Sequence, residues 1–178
     1  MSVIERTPKL RQLAPVYGVI VVFVYSWTIL WFFWKLNGWL AYLRLDEIFT
    51  ILMYTFATNF LESLLVLLLP MGLSMLLPAK CFFDQFVARG TALVLPGLIY
   101  LVFVAYQFEG REKFNQSLIM RLAIPVFLIV MFLVFASGKW GFVRKAFEEF
   151  ANRTTIFLYL SIPMSVFSLL IVIARNII

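Results

Sequence analysis

The chain of 178 residues is 63% hydrophobic and 13% charged, with a formal net charge of +6. Ordinary soluble domains run near half apolar and a quarter charged, so this composition excludes a soluble globular domain, a disordered chain and a disulfide scaffold. The absence of histidine removes imidazole metal ligands and the usual proton shuttle, and a single cysteine, Cys81, excludes an intrachain disulfide.

Five apolar runs follow, each near the roughly 20 residues a helix needs to cross a bilayer. The first predicted span, 13–34, lies in a run without charge from Gln12 to Trp34, with Pro15 placed where a first helical turn tolerates it. Arg6, Lys9 and Arg11 precede it, as they would in a signal peptide. The run is too long and too aromatic for that, and no small-residue cleavage site follows, so an uncleaved helix is expected. Trp39 and Tyr42, between Lys35 and Arg44, read as an outer interfacial belt.

The second predicted span, 48–77, is about 30 residues, or about 45 Å of helix. It exceeds the bilayer core, so tilt, protrusion or a bend at Pro70 is expected. Asp46 and Glu47 before it suit a helix N-terminus, where negative charge is favoured. The remaining spans, 91–108, 119–137 and 154–174, contain Pro96, Pro125 and Pro163 respectively. Proline is common in membrane helices. The fold class expected is all-α: a polytopic integral membrane protein, one transmembrane domain over 1–178 with five transmembrane helices.

The connections are short and patterned. Between the fourth and fifth spans, Trp140, Val143, Phe147 and Phe150 recur at helical spacing, with Arg144, Lys145, Glu148, Glu149 and Asn152 opposite. This predicts a short interfacial amphipathic helix near 140–150, which at its simplest completes the turn between two spans. Phe82, Phe83, Phe86 and Val87 cluster similarly between the second and third spans. Residues 83–91 and 147–155 share the pattern F-acid-x-F-x-x-R-x-T. Two origins stay open: an internal duplication, or the same interfacial demands met twice by aromatics, arginine and a capping threonine.

Orientation follows from basic residues. Arg6, Lys9, Arg11, Lys80, Arg89, Lys139, Arg144, Lys145 and Arg153 fall on one side; Lys35, Arg44, Arg111, Lys113, Arg121 and Arg175 fall on the other. The positive-inside rule places the N-terminus in the cytoplasm and the C-terminus outside, in a bacterial plasma membrane. Cys81, beside aromatics at the cytoplasmic edge, is a candidate for acylation, though an ordinary small residue is the plainer reading.

Glu62 is the residue that asks for an explanation. A charge at mid-membrane costs roughly 2.5–3.5 kcal/mol on insertion scales, so Glu62 is expected to face protein or trapped water. Thr55, Thr58, Asn59, Glu62 and Ser63 fall on one helical face and form a polar stripe. As glue, the stripe would hydrogen-bond neighbouring helices of this chain, of a second copy or of other membrane subunits. As a site, Glu62 with Asn59 would hold a cation or proton on a permeation path. The leading expectation is a non-catalytic structural or accessory subunit that binds membrane helices through the second span; the alternative is a small channel or secondary transporter.

The missing chemistry supports that order. No phosphate-binding glycine loop occurs, and histidine-based triads and metal motifs are impossible. The paired carboxylates Asp46-Glu47 and Glu148-Glu149 are adjacent in sequence and do not converge on a helix. No catalytic residue, metal site or cofactor is expected. The expected partners are the lipid bilayer and other membrane subunits or self, with no nucleic acid.

Overall fold

A computed structural model describes residues 8–78, 82–108 and 116–177. The described chain is all-helical. In chain order it forms α1 (Leu10–Trp39), α2 (Leu45–Leu76), α3 (Phe86–Phe108), α4 (Gln116–Lys139), α5 (Gly141–Thr154) and α6 (Leu158–Ile177), with 3-10 turns at Phe83–Gln85 and Thr155–Phe157. Five of the helical segments are long and apolar enough to cross a membrane. Cys81, Lys80, Arg6, Arg111 and Lys113 lie outside the described residues.

The helices extend past the charge-free runs at several ends. α1 continues beyond Lys35 to Trp39, and the Lys35 ammonium folds over the Trp31 ring, 3.5 Å from its centroid. α3 begins ahead of Arg89. α2 runs unbroken as helix through Pro70, and its N-terminus is secured as expected. Asp46 and Glu47 lie in its first turn, and the Arg44 backbone N–H donates to Glu47 Oε2 at 2.8 Å. At the other end of the chain, residues 154–157 belong to α5 and a 3-10 turn, so α6 starts only at Leu158.

The packing order is α4–α3–α1–α2–α6, with α1 in the middle. α5 connects the two edges: it follows α4, packs against α3 and α1, and hands the chain to α6 through the Thr155–Phe157 turn. One part of the core gathers at this end, and a second, with Tyr25, Met53 and Phe56, lies between α1, α2 and α6. Val16, Val19, Ile20, Phe82, Phe86, Ala88, Ala92 and Ala151 are buried. Phe82 and Phe86 meet edge-on with ring centroids 6.1 Å apart, which anchors the start of α3.

Small residues make this end close. Gly18 of α1 lies so near the α5–α6 junction that a Cβ there would meet the Thr154 carbonyl and the Thr155 nitrogen at 3.0 Å. A Cβ at Gly90 of α3 would meet a Val16 methyl at 3.2 Å. Close backbone approach at small residues is how membrane helices associate without a hydrophobic driving force. The two F-acid-x-F segments therefore both deliver a short-range contact to α1. Their local structures differ: the first is a 3-10 turn opening α3, the second is continuous α5. Nor do their threonines cap: Thr91 is buried inside α3, while the Thr155 hydroxyl bonds back to the Ala151 carbonyl at 3.2 Å.

α5 is amphipathic. Ala151 and Thr154 are buried and Val143 and Phe147 are half-buried, whereas Trp140 and Phe150 are exposed. Trp140 stands just before the helix as its N-cap. The tight junction with Gly18 brings the Thr154–Thr155 backbone against α1 and leaves Trp140 and Phe150 outward, the side on which an interfacial helix meets lipid. Phe142 is exposed as well. α4 is the most peripheral span, presenting Ile124, Phe127, Leu128, Met131, Phe132 and Phe135 outward.

Candidate functional site

The polar stripe on α2 does not form one outward surface. Packing divides it. Asn59 and Ser63 turn toward α1 and are 3% and 0% exposed. Ser63 Oγ donates to the Phe60 carbonyl at 2.8 Å, which commits its hydrogen; the Tyr17 hydroxyl therefore donates to Ser63 Oγ at 3.1 Å. Thr28 Oγ1 donates to Asn59 Oδ1 at 3.0 Å, while Asn59 Nδ2 is buried with no partner among the described residues. Thr55 and Thr58 donate to the carbonyls of Ile51 and Tyr54 on their own helix at 2.6 and 3.0 Å. The stripe was expected to point one way; α1 supplies the hydroxyls that draw half of it inward.

Those partners were not singled out by sequence. Tyr17, Tyr25 and Thr28 stand on α1, and Ser161, Ser165 and Ser168 repeat at helical spacing along α6. Ser165 donates to the Ser161 carbonyl, so the Tyr25 hydroxyl donates to Ser165. Ser168 Oγ lies 3.4 Å from Met53 Sδ, and near the helix ends Arg175 donates to Thr50 and Asn176 to Tyr54. α1, α2 and α6 are thus joined by a seam of hydroxyl contacts. The serine spacing on α6 was the available signal.

Glu62 lies outside the seam. It is exposed, near the centre of the 32-residue α2, and makes no hydrogen bond or ion pair with the described residues. Its carboxyl borders a cleft of about 420 Å³ between α1, α2 and α3, lined by Phe23, Val24, Trp27, Thr28, Leu65, Val66, Leu98, Leu101, Val102 and Ala105. The expectation that Glu62 looks into the protein is met only at its edge: the cleft is open to the surroundings and apolar.

Neighbouring cavities extend the cleft, one along α1 and one between α2, α3 and α4. One of about 300 Å³, reached past Trp27 and Thr28, is lined by Trp31, Phe32, Trp39 and Thr55. Another of about 550 Å³ shares Leu65, Val66, Leu98 and Leu101 and continues to Leu69, Leu93, Val94, Gly97, Tyr100 and Val130. The result is a lengthwise groove with α2 and α3 as walls, floored by α1 beside Glu62 and reaching Val130 of α4 beyond it. Its chemistry is one carboxyl, a few hydroxyls, indoles and hydrocarbon. It pairs no nucleophile with a base, and among the described residues no group of three acidic or cysteine side chains could hold a metal ion.

Neither a protein-family model, nor a curated protein, nor a solved structure matches this chain, so the groove and its carboxyl must be interpreted on their own geometry.

Proposed function

We propose that the protein is a non-catalytic subunit of a membrane assembly, associating with other membrane helices at the groove that carries Glu62. One observation supports this reading above the rest: an exposed carboxyl at the middle of a 32-residue apolar helix, without an internal partner among the described residues. Such a group costs roughly 2.5–3.5 kcal/mol in hydrocarbon, a cost that contact with another polar group removes. The hydroxyl seam holds the fold together, so the carboxyl is available for association. In this reading the protein lies in a bacterial plasma membrane with its N-terminus and α5 in the cytoplasm, the side richer in lysine and arginine.

Photo-crosslinking in native membranes tests the proposal. A crosslinker at Leu65 or Leu101, both exposed in the groove, captures a defined second subunit. The same crosslinker at Phe127, on the outer face of α4, captures lipid only. Glu62→Leu weakens the groove crosslink. Equal crosslinking at all three positions, or none in the groove, refutes it. Cation or proton flux through the reconstituted protein, abolished by Glu62→Gln, would favour transport instead.

A further inference from the structure

The groove combines a long apolar trough with one carboxyl at mid-height, and these features constrain its occupant. We propose that the groove seats a single transmembrane helix of a different protein, bearing a lysine or arginine at mid-membrane height opposite Glu62. This rests on the association proposed above and names the chemistry of the partner.

A carboxyl in hydrocarbon is best matched by a cationic donor, since charge-assisted hydrogen bonds are the strongest available there. The described residues do not supply one. The hydroxyls of Tyr17 and Thr28 are committed to Ser63 and Asn59. The described lysines and arginines stand at or near helix ends, or on α5: Lys35 toward the end of α1, Arg89 and Arg121 in the opening turns of α3 and α4, Arg175 toward the end of α6. A second copy would present the same faces. The outer face of α4 offers Ile124, Phe127, Leu128 and Met131 near the middle of its span. Self-association brings none of the described basic residues to mid-span, so a partner that carries a cation there is foreign.

The shape agrees. The walls approach where a Cβ at Gly90 would lie 3.7 Å from the Pro70 ring, then part along the groove. Gly97 in the α3 wall has open space where a side chain would be, with nothing within 4 Å of an added Cβ. A helix about 10 Å across can press one face into such a trough.

The test uses the intact protein in phosphatidylcholine vesicles and synthetic leucine-alanine transmembrane peptides carrying a dansyl group. The central residue of the peptide is lysine or leucine. Energy transfer from the native tryptophans, Trp27 among them, reports binding. The lysine peptide is expected to bind about tenfold more tightly than the leucine peptide. Glu62→Gln abolishes that preference, and Gly97→Phe, which fills open space without a clash, weakens both peptides. Equal affinity for the two peptides, or a lysine preference that survives Glu62→Gln, overturns the proposal. So does a lipid that native mass spectrometry finds bound and that Gly97→Phe releases. If the lysine preference is absent while Gly97→Phe still removes the native groove crosslink, the association stands and the basic partner falls. If the crosslink is also absent, both fall.

Discussion

Gly18 gives the sharpest measure of how tightly the α5 end is built. An alanine Cβ there would stand 3.0 Å from the carbonyl carbon and oxygen of Thr154 and from the nitrogen of Thr155. All three are backbone atoms, so no rotamer change relieves them. Comfortable contact needs about 3.5 Å, so the junction must retreat by about half an ångström. It has little room to do so, because Ala151 is fully buried, Thr154 is nearly so, and both pack against α1. Overpacking of this kind costs about 1–3 kcal/mol. Replacing a helical glycine by alanine also gains up to about 1 kcal/mol of propensity, which would mask part of the loss. Gly97→Ala carries the same gain with no neighbour within 4 Å. The difference between the two variants therefore isolates the contact and is expected to be about 1–3 kcal/mol. Unfolding in mixed detergent micles, followed by tryptophan emission, measures it. Gly18→Leu should lose the fold's cooperative transition altogether. Equal midpoints for Gly18→Ala and Gly97→Ala, or a stable Gly18→Leu, would refute the close junction.

Other expectations follow from the seam and the groove. A double-mutant cycle of Tyr25→Phe with Ser165→Ala should return a coupling of about 0.6–1.7 kcal/mol in the same unfolding assay, and a value near zero would show that the pair does not hold α1 to α6. Glu62→Leu should leave the isolated protein in detergent as stable as the parent or slightly more so, because the carboxyl has no partner in the described chain; a loss above about 1 kcal/mol would reveal an internal role. With Cys81 replaced by alanine, an impermeant maleimide on intact cells should label Tyr42→Cys, where Tyr42 is 90% exposed, and spare Lys145→Cys. The reverse pattern would invert the orientation.

The coarse architecture was legible because the bilayer imposes it. Charge-free length predicts five apolar helices, and five are present. The amphipathic spacing of 140–150 predicts a helix, and α5 occupies 141–154. What sequence did not reveal was the direction of side chains between helices. Periodicity places Thr55, Thr58, Asn59, Glu62 and Ser63 on one face, but that face is wide. Whether a residue on it turns inward depends on α1, which offers Tyr17 and Thr28 to Ser63 and Asn59 and nothing to Glu62. The close approach of the α5–α6 junction to Gly18 was hidden for the same reason: the two lie more than a hundred residues apart in the chain.

The groove has a simple origin in the composition of α1. Its first half carries Val16, Gly18, Val19 and Ile20, slim enough for α3 and the α5–α6 junction to close upon them. Its second half turns Trp27, Trp31 and Phe32 toward the neighbouring helices, too bulky for these to approach equally. Helices joined closely at one end and held apart at the other must part along the way, and α2 and α3 do so at the depth of Glu62. The carboxyl is therefore exposed because of residues on a different helix, not because of its own neighbours on α2. Trimming Trp27 to alanine should let the walls draw together and bring Glu62 under cover. A crosslinker at Leu65 or Leu101 would then lose its partner although α2 and α3 are unaltered in sequence; unchanged crosslinking would show that the indole does not hold the groove open.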